Sequence, residues 1–221
     1  MNTIRVGTPP PDVEVWLVDL DAASTPDHTG MLDSRERTRA AALVHARDRE
    51  RYVTAHGVLR ILVSRAMHIA HEAQVGAVRM RRQPCPMCGG PHGRPFVEGG
   101  PFFSLSRSGA WALVALSNVV PVGVDIEVRR DPADVELLRA SVLADGERSD
   151  DLLRTWVRKE AFLKSTGEGL ARPMNTVAAT PGTFDLGEGA GSGRASSTAN
   201  LVMAVTAAAS TQVPLLRAYV R

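Results

Sequence analysis

Residues 102–105, 110–117 and 122–128 are three apolar stretches divided only by Ser/Gly and Asn/Pro turns, and this spacing constrains the fold most. Connections this short read as turns between successive strands. Residues 13–20 (VEVWLVDL) alternate as a further strand. From Leu32 to about His71 the pattern is helical. Asp33 or Ser34 offers an N-cap, Val58, Leu59, Leu62, Val63 and Met67 recur at helical spacing, and Gly57 beside His56 marks a soft spot. Residues 77–80 read as a short strand, followed by a Pro-, Cys- and Gly-rich loop over 83–95.

Two helices are expected later, at 134–143 and 150–164, the second ended by Gly167 and Gly169. Residues 177–179 and 201–207 read as strands around a mobile Gly/Ser/Ala loop at 187–200. Each half thus runs strand, helix, strands, so two similar α+β units are conceivable. With 44% hydrophobic and 23% charged residues in 221, the chain can fill a core, and disorder of its bulk is excluded. The longest apolar stretch, 111–124, is broken by Ser117, Asn118 and Pro121, so no membrane span is expected. Residues 1–11 lack the cationic start and apolar run of a secretory signal, which points to the cytoplasm.

A formal net charge of +2 gives no bulk electrostatic case for nucleic-acid binding. The makeup of that charge is more telling. Of 26 basic residues only Lys159 and Lys164 are lysines, and both fall in one short segment. A compact ammonium does what a planar guanidinium cannot.

That segment, WVRKEAFLK from Trp156 to Lys164, puts Glu160 and Lys164 on one helical face with Trp156 a turn earlier and Lys159 to the side. By itself this is a surface pair worth a few tenths of a kcal/mol. Upstream, VGVDIE at 122–127 places Asp125 and Glu127 on one face of a strand, with Val124 and Ile126 turned to the core. Taken alone, a solvated strand face is the commoner explanation of two such acids. Joined by Glu160, however, they offer the oxygen donors that suit Mg²⁺, and the two ammonium groups would serve substrate phosphates. The combination reads as phosphoryl-type transfer. FSLSRS at 103–108 adds two hydroxyls and Arg107, able to hold a terminal phosphate or simply to make a turn. Finally, Cys85-Pro-Met-Cys88-Gly-Gly-Pro-His92 is consistent with a zinc knuckle lacking a local fourth ligand, with a redox pair, or with two structural thiols.

Gly93-Arg94-Pro95, FSLSRS, GVDIE and WVRKEAFLK followed by Gly167-Glu168-Gly169-Leu170 occur in order, over a stretch from about Arg35 to Ala207. In this the chain resembles the 4′-phosphopantetheinyl transferases of the larger, pseudodimeric type that activates peptide and polyketide synthases. The resemblance implies an α+β fold of two similar subdomains related by a pseudo-twofold axis, each a small antiparallel sheet packed on helices. They would divide into 1–121, with the basic coenzyme A contacts and the Cys-rich loop, and 122–221, with the acidic site and the WVRKEAFLK helix. It implies transfer of the phosphopantetheine arm of coenzyme A to a serine of an apo acyl or peptidyl carrier protein by a cytoplasmic monomer, without nucleic acid or membrane. By motif position Asp125, Glu127 and Glu160 would hold Mg²⁺, and Glu160 would also take the serine proton. Lys164 would neutralise the pyrophosphate and Lys159 would assist at the adenylate end. Arg94 beside Pro95, Ser106 and Arg107, and the more distant Arg39 and Arg51 would contact coenzyme A. Arg107 replaces the family's usual His, and Val157 the usual Ser or Thr. The expected carrier surface is the 134–143 helix, through Val135, Leu138 and Val142. The rival readings are an Mg²⁺-dependent phosphodiesterase or nuclease using the same acids, and a zinc-knuckle nucleic-acid-binding module.

Overall fold

The closely spaced strands pair as expected up to the turn at 118–121, where the chain changes sheet. The computed structural model describes residues 13–21, 28–69, 75–186, 200–207 and 215–219. Its strands are β1 (Val13–Asp19), β2 (Arg81–Arg82), β3 (Pro95–Phe96), β4 (Phe102–Ser108), β5 (Trp111–Ser117), β6 (Val122–Val128), β7 (Thr183–Leu186), β8 (Leu201–Ala207) and β9 (Leu215–Tyr219). The helices are α1 (Ser34–Ala41), α2 (Ala46–Ala66), α3 (Pro132–Glu136), α4 (Arg139–Val142) and α5 (Leu152–Thr166). The first sheet has the order β4-β5-β1-β9, antiparallel except that β9 runs parallel to β1. A second, antiparallel sheet has the order β6-β8-β7, and β2 and β3 form a small hairpin.

The alternation of β1 explains the layering. Trp16, Val18 and Leu20 face α2, packing with Val58, Leu59, Leu62 and Val63. Val13, Val15 and Leu17 face the other way and meet Val122, Val124 and Ile126 of β6 with Met203 and Val205 of β8. On the outer side of this second sheet α5 lays Leu153, Val157 and Ala161 against Val202 and Ala204. The result is helix, sheet, sheet, helix, an α+β architecture. A boundary between 121 and 122 separates the two sheets except for β9, which returns to the first.

Gly123 sets the distance between β6 and α5. A Cβ there would lie 2.0 Å from the Ala161 carbonyl oxygen and 2.5 Å from the Ser165 nitrogen, both backbone atoms that a side-chain rotation cannot clear. Gly123→Ala is therefore expected to push α5 off the strand and destabilise the fold by about 1–3 kcal/mol or more, read from urea unfolding. An unchanged midpoint would refute the close approach.

Several expectations need correction. The helical stretch from Leu32 breaks at 42–45 into α1 and α2, and Gly57 is no weak point: it lies inside unbroken α2, against the side chain of His28. Residues 77–80 are not a strand; β2 begins at Arg81. The 134–143 helix is two short pieces, α3 and α4. Val135 and Val142 are buried and Leu138 packs in the same cluster, so the exposed apolar side chain there is Leu137 instead. Residues 177–179 form no strand, because the 3₁₀ turn Met174–Thr176 turns the chain toward β7. Of the loop expected at 187–200, residues 187–199 lie outside the described residues. No helix among the described residues is long and apolar enough to cross a membrane.

Candidate active site

The serines at 104, 106 and 108 lie on one face of β4 and join the two sheets. The hydroxyl of Ser104 accepts from the Val124 amide at 3.1 Å and that of Ser108 from the Val128 amide at 3.0 Å. Ser106 donates to Asp125 Oδ1 at 2.6 Å, and Ser108 to Glu127 Oε2 at 2.7 Å. The FSLSRS segment is thus a strand, not a turn, and Ser106 is turned to the acids rather than kept free for a phosphate.

At this seam α5 delivers Lys164. Its ammonium donates to Asp125 Oδ1 at 2.6 Å and to Ser106 at 3.1 Å, and pairs with Glu160 Oε2 at 3.0 Å. The i, i+4 pair expected from the sequence is therefore no surface ornament: it closes onto a buried aspartate of the neighbouring strand. Burial works against the Lys164 cation, but the two carboxylates outweigh it and hold its pKa above the ordinary value. For Asp125 burial wins, pushing its carboxyl up to about 7 against the pull of Lys164. Its second oxygen, Oδ2, is buried without a hydrogen-bond partner.

Lys164 reaches a cleft of about 520 Å³ whose rim carries Arg35, Arg39, Arg81, Arg82, Arg94 and Arg107 against the acids Asp33 and Glu36. That excess of cations suits a ligand with several phosphates. Arg39, Arg94, Pro95, Ser106, Arg107 and Lys164, all singled out from the sequence, line the cleft. The Arg107 guanidinium lies 5.1 Å from the centre of the Tyr52 ring, and Tyr52 stacks on His56 at 4.1 Å. Arg94 is pinned at the C-terminal end of α5, donating to the Ser165 carbonyl, with its cation 5.8 Å from the Phe102 ring centre. Gly167, the left-handed cap of α5 at φ 84°, sits against it.

Two expected contacts fall elsewhere. Lys159 is buried on another face of α5, where it donates to the Val142 carbonyl at 2.7 Å and pairs with Glu147 at 2.5 Å. It ties α4 to α5 and does not line the cleft. Arg51 is held by Asp21 through two hydrogen bonds of 2.8 and 2.6 Å, also outside the cleft lining. Conversely, the cleft wall includes residues to which the sequence reading gave no part in the site. Asp33 and Glu36 form a capping box on α1, and the fully buried Arg60 reaches both, at 2.8 and 2.7 Å. Tyr52 and His56, a turn apart on α2, were legible as an i, i+4 pair.

Among the described residues the one set of three metal-type ligands with atoms within 4.8 Å of one another is Cys85, Cys88 and His92. Asp125 and Glu160 share Lys164, whereas Glu127 is engaged by Ser108 and by Arg130 at 2.8 Å.

A family model for the 4′-phosphopantetheinyl transferase superfamily matches residues 121–193, the segment that holds β6 and α5. The 4′-phosphopantetheinyl transferase HetI of Nostoc sp. is 28% identical over 181 residues, covering 73% of this chain and 71% of its own. A Synechocystis sp. protein provisionally named as such a transferase is 28% identical over 182 residues, 76% and 70% of the two chains. The Bacillus subtilis transferase Sfp is 24% identical over 157 residues, 66% and 64%. Relatives that cover more of the chain than either half alone, and a family model centred on the strand and helix that build the acid–lysine cluster, agree: over most of its length the chain is similar to the 4′-phosphopantetheinyl transferases.

Proposed function

We propose that this protein transfers the 4′-phosphopantetheine arm of coenzyme A to a serine of an apo acyl or peptidyl carrier protein, as a cytoplasmic monomer. The observation that carries the reading is the arginine-rimmed cleft ending at Lys164, with Glu160 and Asp125 on the same ammonium. The serine oxygen attacks the phosphorus next to the pantetheine, and the bond to the bridging oxygen breaks, releasing adenosine 3′,5′-bisphosphate. Such a step needs charge neutralisation and alignment more than covalent chemistry. Glu160 takes the serine proton. Lys164 faces the charge gathering on the pyrophosphate, and Arg39 and Arg107 take the 3′-phosphate end. The relatives that match this chain carry the name of this transferase, which favours it over a phosphodiesterase acting with water.

Mg²⁺ fits here on one structural ground: the buried, unpartnered Oδ2 of Asp125 is a hard anionic oxygen that a cation would satisfy. Asp125 and Glu160 would hold the ion, and Glu127 would join them on leaving Arg130. Bound there, the ion would neutralise the pyrophosphate. We further assign the basic coenzyme A contacts to a unit over 1–121 and the acids with Lys164 to a similar unit over 122–221. That the cleft is lined from both, by Arg39 and Arg107 on one side and Lys164 and Gly167 on the other, supports this division.

The direct test is the intact mass of an apo carrier protein after incubation with this protein, coenzyme A and Mg²⁺. A gain of one phosphopantetheine is the expected result; no gain with several carriers and no coenzyme A binding would sink the reading.

The Asp125 carboxyl gives a pH prediction. Its folded pKa, about 7, lies above the ordinary carboxyl value of 3.8. Its contribution to stability is thus complete below the unfolded value and is lost as pH rises through about 7. In chelator, thermal unfolding of the parent should lose ground to Asp125→Asn as pH rises from 5 to 8, values on either side of the folded pKa of about 7. Parallel profiles would show that Asp125 does not titrate in this window.

A further inference from the structure

Among the described residues the Cys85–His92 loop is the one metal-type ligand cluster that the transfer reaction leaves unused, and it abuts the cleft through His92. We propose that Cys85, Cys88 and His92 bind a zinc ion that closes this loop and fixes the strand end carrying Arg94 and Pro95.

Three independent features converge on the site. Both cysteines are free thiols, Cys88 Sγ lies 3.1 Å from His92 Nε2, and the three ligand atoms all fall within 4.8 Å of one another. Ligand atoms around a tetrahedral zinc stand on the order of 3.6 Å apart, so small shifts complete the geometry. Next, the backbone is wound as a knuckle. The Gly89 amide donates to the Cys85 carbonyl at 2.8 Å, the Cys85 amide to the Gly90 carbonyl at 2.7 Å, and Gly89 sits at φ 71°. Lastly, Gly90 makes room for the ligands: a Cβ there would meet the His92 ring at 3.0 Å and Cys88 Sγ at 3.3 Å. Two thiolates and an imidazole select zinc over the hard cation assigned to Asp125. The fourth position is left to water or an exchangeable ligand.

The placement gives the ion its role. The base of the loop is a short ladder, with Gln83 donating to the Arg94 carbonyl at 2.9 Å, Gly93 to the Gln83 carbonyl at 3.1 Å and Arg82 to the Gly93 carbonyl at 2.9 Å. Closing 85–92 on a metal removes freedom from the segment that runs straight into Arg94. Zinc here is a positioning device for a cleft cation, and this last clause rests on the function proposed above.

The test begins without coenzyme A. The reduced full-length protein should purify with about one zinc per chain. Its cobalt-substituted form should show thiolate-to-cobalt charge transfer and tetrahedral ligand-field bands. Cys88→Ser and His92→Ala, whose side chains are exposed, should keep the parental circular dichroism and lose or weaken the bands. Absent bands in the folded parent, bands unaltered in both variants, or a Cys85–Cys88 disulfide in the protein as isolated would each overturn the site. Where the metal binds, its removal should raise KM for coenzyme A and leave kcat in place. An unmoved KM would overturn the positioning role while leaving the metal site standing, and absence of any transfer would count against the proposed function alone.

Discussion

Glu160→Gln is expected to lower kcat for carrier modification by about 10²–10⁴-fold, the span associated with losing a general base. The substitution keeps the shape and the polar contacts of the side chain and removes only its charge and basicity. Lys164 would retain Asp125 Oδ1 at 2.6 Å and Ser106 at 3.1 Å, so its position should hold. Coenzyme A binding, read by calorimetry, should therefore change much less than kcat. This split is the informative result. A fall in affinity that matched the fall in rate would mean that Glu160 acts by placing Lys164 and the pyrophosphate, not by taking the proton. A variant with parental kcat would remove Glu160 from the chemistry. The comparison variant is Lys164→Met, which leaves Asp125 buried with no cation and should damage stability and affinity together.

The acid–lysine cluster was legible because two short-range periods carry it. Period two on β6 sets Asp125 beside Glu127, and the i, i+4 spacing on α5 sets Glu160 beside Lys164. That the two elements touch was also written, in Gly123, though only the structure shows the Ala161 carbonyl that a Cβ would strike. What escaped was everything decided by a distant partner. Lys159 lies one residue from Glu160, yet the roughly 100° between helical neighbours turns it to Glu147 and the Val142 carbonyl. Arg51 was read as a cleft cation, and Asp21, thirty positions back, takes it. The alternating serines of β4 announced one common face, but not that it would meet β6 of the other sheet. In the first-half strands alternation served well, whereas the 134–143 docking helix failed because Val135 and Val142 belong to the core under α5.

Arg60 is where the cleft wall and the stability of the fold coincide, and Arg60→Met is expected to cost about 3–5 kcal/mol, the range for breaking a buried ion pair from one side. The guanidinium is fully buried and uses three directions: Glu36 at 2.7 Å, Asp33 at 2.8 Å and the Val78 carbonyl at 2.8 Å. Methionine fills much of the volume but answers none of these acceptors. For a chain of this size the loss corresponds to a melting temperature lower by on the order of 10 °C. The acid side of the profile should move too. Against the cost of burial, His56, the Asp33 amide and Arg60 hold the Glu36 carboxyl below its ordinary value. A depressed carboxylate lends stability that is present above its unfolded pKa and is lost as pH falls through its folded one. Without Arg60 that depression shrinks, so part of the acid-dependent loss is already present at neutral pH and the melting profile flattens toward low pH. Glu36→Gln combined with Arg60→Met should be less damaging than the sum of the single changes, since an amide is cheaper to bury unpaired than a carboxylate. Strict additivity of the two would show that the pair is not coupled. The consequence for the cleft is direct: Glu36 also holds His56 at 3.2 Å, His56 stacks on Tyr52, and Tyr52 lies beneath the Arg107 guanidinium. A loosened Arg60 network should accordingly weaken polyphosphate binding even at temperatures where the variant remains folded.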